Sequence, residues 1–174
     1  MEDHKDVQKE HPGKETYHLS IGGRITRDLP LVTLPGTNLQ IASFVMLGDT
    51  ELNETCAELL QNQIGETLKH RNLHFDTIAG SEAKSIALLQ TVAKRFGQKR
   101  YVVMRKGVKN YMQNPLTVSF ASITTAGEQN LVLDGLDVHM VRGKNVLLVD
   151  DVVSTGGTLI ASRELIEKAG GRVV

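Results

Sequence analysis

The sequence predicts an α/β domain with a mostly parallel, twisted sheet flanked by helices, and three observations predict it. From about residue 74 onward, short apolar stretches alternate with segments of helical periodicity, the pattern of strands joined by crossover helices. Residues 146–149 are apolar at every position, as a central strand covered on both faces must be. The segment after them is rich in Asp, Ser, Thr and Gly, at the strand end where parallel sheets bind ligands. The chain has 174 residues, zero formal net charge, no tryptophan and 4% aromatics. That length suits one domain. Zero net charge gives no global attraction to nucleic acid or membrane, and so few aromatics argue against a base-stacking platform. The single cysteine, Cys56, has no intrachain partner and fits a reducing compartment. No apolar run approaches the roughly 20 residues of a membrane span, and the polar start Met1-Glu2-Asp3-His4-Lys5 lacks a signal-peptide core. A cytoplasmic protein with no membrane or nucleic-acid partner is expected.

Residues 1–16 are charged and aperiodic and are expected to form a loose polar tail, leaving 17–174 as a single domain. Residues 17–21 and 24–29 flank Gly22-Gly23 as a hairpin. Pro35-Gly36-Thr37 makes a turn, and 39–46 reads as another strand. Asp49 or Thr50 caps a helix running to about His70, with Glu51 and Glu54 at the favourable dipole end. Its inward stripe is Leu52, Cys56, Leu59, Leu60, Ile64 and Leu68. This places Cys56 as a small buried hydrophobe rather than a nucleophile. Residues 74–79 form a short strand. Residues 83–96 form a helix with Ile86, Leu89, Val92, Ala93 and Phe96 inward, stopped at Gly97. Residues 101–104 are the next strand. The stretch 107–129, partly extended at 116–123, is long enough to mean a functional loop or an added hairpin. Strand 146–149 is followed by a loop, a helix ending at Gly170-Gly171, and a strand starting at 172–174.

The chemistry concentrates in Val146-Leu147-Leu148-Val149-Asp150-Asp151-Val152-Val153-Ser154-Thr155-Gly156-Gly157-Thr158. Two adjacent carboxylates repel when both are ionised, so stability alone explains them poorly. They suit a polyol's hydroxyls or a hydrated cation. Val153, Ser154, Thr155, Gly156, Gly157 and Thr158 then offer hydroxyls, free amides and a helix N-terminus to a phosphate. Carboxylates for ribose hydroxyls beside a phosphate nest describe a phosphoribose site. The bland alternative is a packing turn, which a glycine-rich loop by itself would usually be. Two further segments are weaker alone. Ser81-Glu82-Ala83-Lys84-Ser85 otherwise reads as a helix start, and Arg105-Lys106-Gly107-Val108-Lys109 as a solvated basic turn. The histidines show no metal-ligand spacing.

These three segments together resemble the type I phosphoribosyltransferases, most nearly the adenine-using branch. Asp150-Asp151 with Thr155-Gly156-Gly157-Thr158 resembles the family's binding signature for phosphoribosyl pyrophosphate (PRPP). Residues 79–85 resemble its pyrophosphate loop, and 105–109 its Arg-Lys-x-x-Lys run. The resemblance spans roughly residues 17–174. It implies transfer of phosphoribose from PRPP to a purine, adenine first, giving the monophosphate and pyrophosphate with Mg²⁺. It implies catalytic roles for Asp150, Asp151, Arg105 and Lys109. Pyrophosphate binding would fall to Ser81, Glu82, Ala83, Lys84, Ser85, Arg105, Lys106 and Lys109, and the metal to Asp150 and Asp151 through water. It further implies a base-covering segment at 17–48, a flexible loop after Lys109, a cis peptide at Glu82–Ala83, a homodimer, and another strand beyond Val174.

The chain departs from the pattern in places. Lys84 stands where the family has arginine, which keeps the charge but loses the bidentate fork, and Ser85 stands for glycine. Ser122-Ile123-Thr124-Thr125-Ala126-Gly127 lacks the glutamate that adenine enzymes carry before an aromatic and a glycine, and no aromatic follows Pro35-Gly36. A xanthine- or guanine-type transferase and a non-enzymatic PRPP or nucleotide sensor therefore stay open. A phosphoacceptor receiver domain, whose first strand also ends in paired aspartates, is set aside because it needs roughly 100 residues downstream of them.

Overall fold

The structure, a computed structural model, describes residues 15–121 and 128–174. It divides between Phe44 and Val45 into two units. In the first, β1 (Thr16–Ile21) and β2 (Ile25–Thr33) form the expected antiparallel hairpin. Gly22 and Gly23 both take positive φ in its turn, the left-handed region that glycine enters freely. The strand expected over 39–46 is only β3 (Gln40–Ala42), which pairs with Leu31–Thr33 at the end of β2. Beyond it Ser43 donates to Pro30 O, but Pro30 has no N–H to donate back, and the ladder stops there.

The second unit begins with α1 (Thr50–Arg71), where Asp49 accepts from Leu52 N at 3.0 Å as the expected N-cap. The helix ends at Asn72 in the left-handed region, after Lys69, His70 and Arg71 in the last turn. Of its expected inward stripe only Leu52 is fully buried. Asn53 and Ala57 are buried instead, while Cys56, Leu59, Leu60, Ile64 and Leu68 are half-buried. The second half of the helix flanks an open groove of about 440 Å³, together with Leu147, Leu148 and Val174. Burial raises the Cys56 thiol pKa, with Asp49 adding to the effect, which suits an unreactive side chain.

β4 (Thr77–Ser81) starts three residues later and ends two residues later than expected, and Asp76 just before it is bonded to Asn145 through its amide and its carboxylate. α2 (Ile86–Arg95) starts three residues later than expected, its first turn displaced by the 82–85 loop. Leu88, Leu89, Val92 and Ala93 are its buried face. Phe96 is half-buried and meets Phe75 edge-on, with ring centroids 5.2 Å apart. β5 is Val102–Met104. The stretch after it is an added hairpin, β6 (Leu116–Ala121) with β7 (Glu128–Leu133), paired from Leu116↔Leu133 to Ala121↔Glu128. The proposed flexible tip, 122–127, falls outside the described residues. A 3₁₀ turn, Gly135–Met140, leads to β8 (Asn145–Leu148), α3 (Gly157–Lys168) and β9 (Arg172–Val173).

The sheet order is β5-β4-β8-β9, all parallel. From β4 the chain crosses to one side, and from β8 to the other. Right-handed crossovers then put α2 and α3 on opposite faces. The hairpin joins the core through α3. Val118, Leu131 and Leu133 cluster with Ala161, Leu165 and Ile166, and Lys168 Nζ donates to Thr117 O at 2.9 Å. Each such aliphatic side chain contributes about 1.5–3 kcal/mol on burial.

Candidate active site

The order β5-β4-β8 brings the three motifs to one edge. The registers Ser81↔Met104 and Ala79↔Leu148 set the carboxyl ends of these strands side by side. From those ends emerge the 82–85 loop, the 105–109 run and the 150–158 loop. The strand order reverses between β4 and β8, and open α/β sheets bind ligands at such a switch point. Gly80 permits the close approach there, since a Cβ on it would lie 2.6 Å from Val149 O. Val149 N extends the pairing by donating to Ala79 O.

Asp150 and Asp151 follow directly and are both half-buried. The Asp151 amide donates to Asp150 Oδ1 at 3.1 Å. Burial first, and then the charge of Asp151, push the Asp150 carboxyl up from its ordinary 3.8 to about 6. Lys106 acts in the other sense and draws it down, so the basic run reaches the aspartates electrostatically. Val152, Val153, Ser154 and Thr155 are exposed, while Gly156, Gly157 and Thr158 are half-buried. Gly156 takes φ +81 and has nothing within 4 Å of where a Cβ would stand, so the backbone is open at the start of α3. The loop, with Asp150, lines a recess of about 60 Å³. Phe120 of β6 also lines it and was missed from sequence. Its signal was the alternation Leu116, Val118, Phe120 on one face of a strand.

On the other side of the switch point, the Glu82–Ala83 peptide is cis, as the resemblance implied. Ser81 and Ser85 are buried, and Ser85 Oγ donates to Ser81 O at 2.5 Å. The hydroxyl at the family's glycine position thus closes the loop on itself. Ala83 and Lys84 are exposed. Arg105 is fixed by backbone bonds to Val132 in both directions, at 2.8 and 2.7 Å. Glu82 Oε2 lies 2.6 Å from Arg105 Nε, and its Oε1 accepts from the Lys106 amide at 2.7 Å. Lys109 is half-buried, and Tyr111 is 63% exposed. The strand ends therefore set the three motifs side by side, with Glu82 joined to Arg105 and Lys106, and Lys106 acting on Asp150. The link from Glu82 to residues 105–106 was not legible, because nothing in the sequence pairs positions 24 apart.

Paired carboxylates are hard oxygen donors of the kind Mg²⁺ prefers. Among the described residues no cluster of three or more His, Cys, Asp or Glu could hold a metal. The pair thus fits a largely hydrated cation shared with a ligand's phosphates, which is how Mg²⁺ is commonly bound.

Comparison with known proteins agrees with this geometry. The phosphoribosyl transferase domain family matches residues 49–174. An adenine phosphoribosyltransferase of Corynebacterium jeikeium is 37% identical over 108 residues, covering 59% of this chain and 48% of that protein. A hypoxanthine/guanine phosphoribosyltransferase of Methanothermococcus okinawensis is 32% identical over 117 residues, covering 67% and 60%. The chain thus spans about half to three fifths of the length of these relatives. In structure it is similar to the adenine phosphoribosyltransferase of Saccharomyces cerevisiae solved with an imino-altritol bisphosphate and adenine. That match has a TM-score of 0.68 at 19% identity and covers 84% of this chain and 80% of the other. The fold is that of the type I enzymes, and the chain belongs to the phosphoribosyl transferase domain family.

Proposed function

We propose that the chain transfers the phosphoribosyl group of PRPP to a purine, adenine preferred, releasing pyrophosphate. The observation that carries this reading is the adjacency of three strand ends bearing paired carboxylates, a phosphate nest and a cationic run. The nest at 153–158 would anchor the 5-phosphate and so position the electrophile. Asp150 and Asp151 would accept from the ribose hydroxyls and hold the ring as oxocarbenium character develops. Lys84, Arg105, Lys106 and Lys109 would stabilise the charge growing on the leaving pyrophosphate. Mg²⁺, held through water by Asp150 and Asp151, would supply further neutralisation of that charge.

The roles of residues 17–48 over the base, a homodimer and a cytoplasmic setting belong to the same reading and rest on the family resemblance. No described helix is long and apolar enough to cross a membrane. The missing carboxylate at 122–127 favours a second reading of the base, as does a relative named for hypoxanthine and guanine. A panel of purines assayed with PRPP and Mg²⁺ separates the two. Adenine turning over fastest supports the proposal. Turnover with oxo-purines alone transfers the assignment to that branch. Tight PRPP binding with no turnover on any base would replace the enzyme with a sensor.

A further inference from the structure

Glu82 is a carboxylate inside a loop read as a binding site for a polyanion, where bare electrostatics disfavours it. Its oxygens are engaged elsewhere. One accepts from the Lys106 amide at 2.7 Å, the other contacts the Arg105 guanidinium, and the side chain is only 15% exposed. We propose that Glu82 is a positioning residue for pyrophosphate. By accepting from the Lys106 amide it ties the 82–85 loop to the start of the 105–109 run and directs Lys106 and Lys109 at the ligand. This inference rests on the phosphoribosyl reading and deepens it.

The amide bond is the part of this contact that does the positioning. Arg105 needs no help from Glu82 to hold its main chain, since Val132 bonds it from both sides. Its Nε, though near Glu82 Oε2, has no aligned hydrogen bond. The Lys106 amide is the first group beyond that bridge, and Glu82 is its acceptor. From Lys106 the chain passes through Gly107 and the exposed Val108 before Lys109, whose amide meets Met112 Sδ at 3.4 Å. Without the Glu82 bond, Lys106 to Val108 would keep no hydrogen bond among the described residues between those two anchors. Glu82 N also donates to Met104 O, so the two loops are joined at both main chain and side chain.

The two accounts of Glu82 predict opposite signs. If it were only a neighbouring negative charge, its removal would free Arg105 and tighten anion binding. If it positions the run, removal weakens pyrophosphate binding and leaves the separate 5-phosphate nest alone. Titration calorimetry with Mg²⁺ and inorganic pyrophosphate, and separately with ribose 5-phosphate, distinguishes them in wild type, Glu82→Met and Glu82→Gln. Methionine keeps the bulk and removes the acceptor. Glutamine keeps an acceptor and removes the charge. We expect Glu82→Met to lose about tenfold in pyrophosphate affinity, which is about 1.4 kcal/mol. Glu82→Gln should recover most of that loss, and ribose 5-phosphate affinity should be equal in all three. Unchanged or tighter pyrophosphate binding in Glu82→Met overturns the proposal. So does a Glu82→Gln variant as weak as Glu82→Met, or a parallel loss for ribose 5-phosphate. Wild-type protein that binds neither anion defeats the phosphoribosyl reading itself.

Discussion

Asp150 bears a charge that its surroundings oppose. Burial and Asp151 together raise its pKa to about 6. A raised folded-state pKa means the folded protein holds this proton more tightly than the unfolded chain. Its stabilising contribution is therefore present below about pH 4 and lost as pH rises through about 6. At pH 8 the ligand-free protein should carry the full cost of the ionised pair, so Asp150→Asn should melt higher than wild type. Solvent screening of a half-exposed pair leaves about 1 kcal/mol of this, or roughly 2–4 °C for a domain of this size. The gain should vanish at pH 4. Calorimetric melting at the two pH values checks it, and a variant less stable than wild type at pH 8 contradicts it. Gly156 makes a second claim at this scale. Its φ of +81 disfavours any side chain, and its open face is where a phosphate would reach the amides. Gly156→Val should bind neither ribose 5-phosphate nor a nucleoside monophosphate, and wild-type affinity for either would remove the loop from the site.

The β6–β7 hairpin shows what periodicity could and could not reveal about the elements. The sequence reads 107–129 as a functional loop or an added hairpin, partly extended at 116–123. In the structure β6 and β7 carry Val118, Leu131 and Leu133 into the main core. Part of this was legible, since Leu116, Val118 and Phe120 alternate with Thr117 and Ser119. The partner strand was not, because Leu131, Val132 and Leu133 form a run whose period tells nothing. The base of the hairpin is therefore structural. Leu131→Ala should cost about 2–5 kcal/mol, as buried leucine truncations do, and lower the melting temperature by several degrees or more. A change under one degree would mean the hairpin packs loosely. The start of α2 and the shortness of β3 depart from the local pattern for a related reason. Local pattern cannot see that a loop occupies the first turn, or that a proline on the partner strand stops the ladder after three pairs.

Across the molecule, the parts of the site legible from sequence were those written in consecutive residues: the paired aspartates, the glycine nest and the basic run. Their assembly depends on strand order, which puts β4 between β5 and β8, and no local segment specifies that. The contacts hidden from sequence are accordingly the ones between elements. Glu82 with Lys106, Phe120 beside the recess at 150–159, and Lys106 acting on Asp150 all join segments distant in the chain. The central claim is that these strand ends form one phosphoribosyl-transfer site. It is tested most directly by following pyrophosphate release from PRPP and Mg²⁺, with and without adenine, in wild type and in Asp150→Asn/Asp151→Asn. The account predicts adenine-dependent release matched mole for mole by adenosine monophosphate, reduced about a hundredfold or more in a double variant that still folds. Release at the wild-type rate from the double variant, or no adenine-dependent release from wild type, would contradict it.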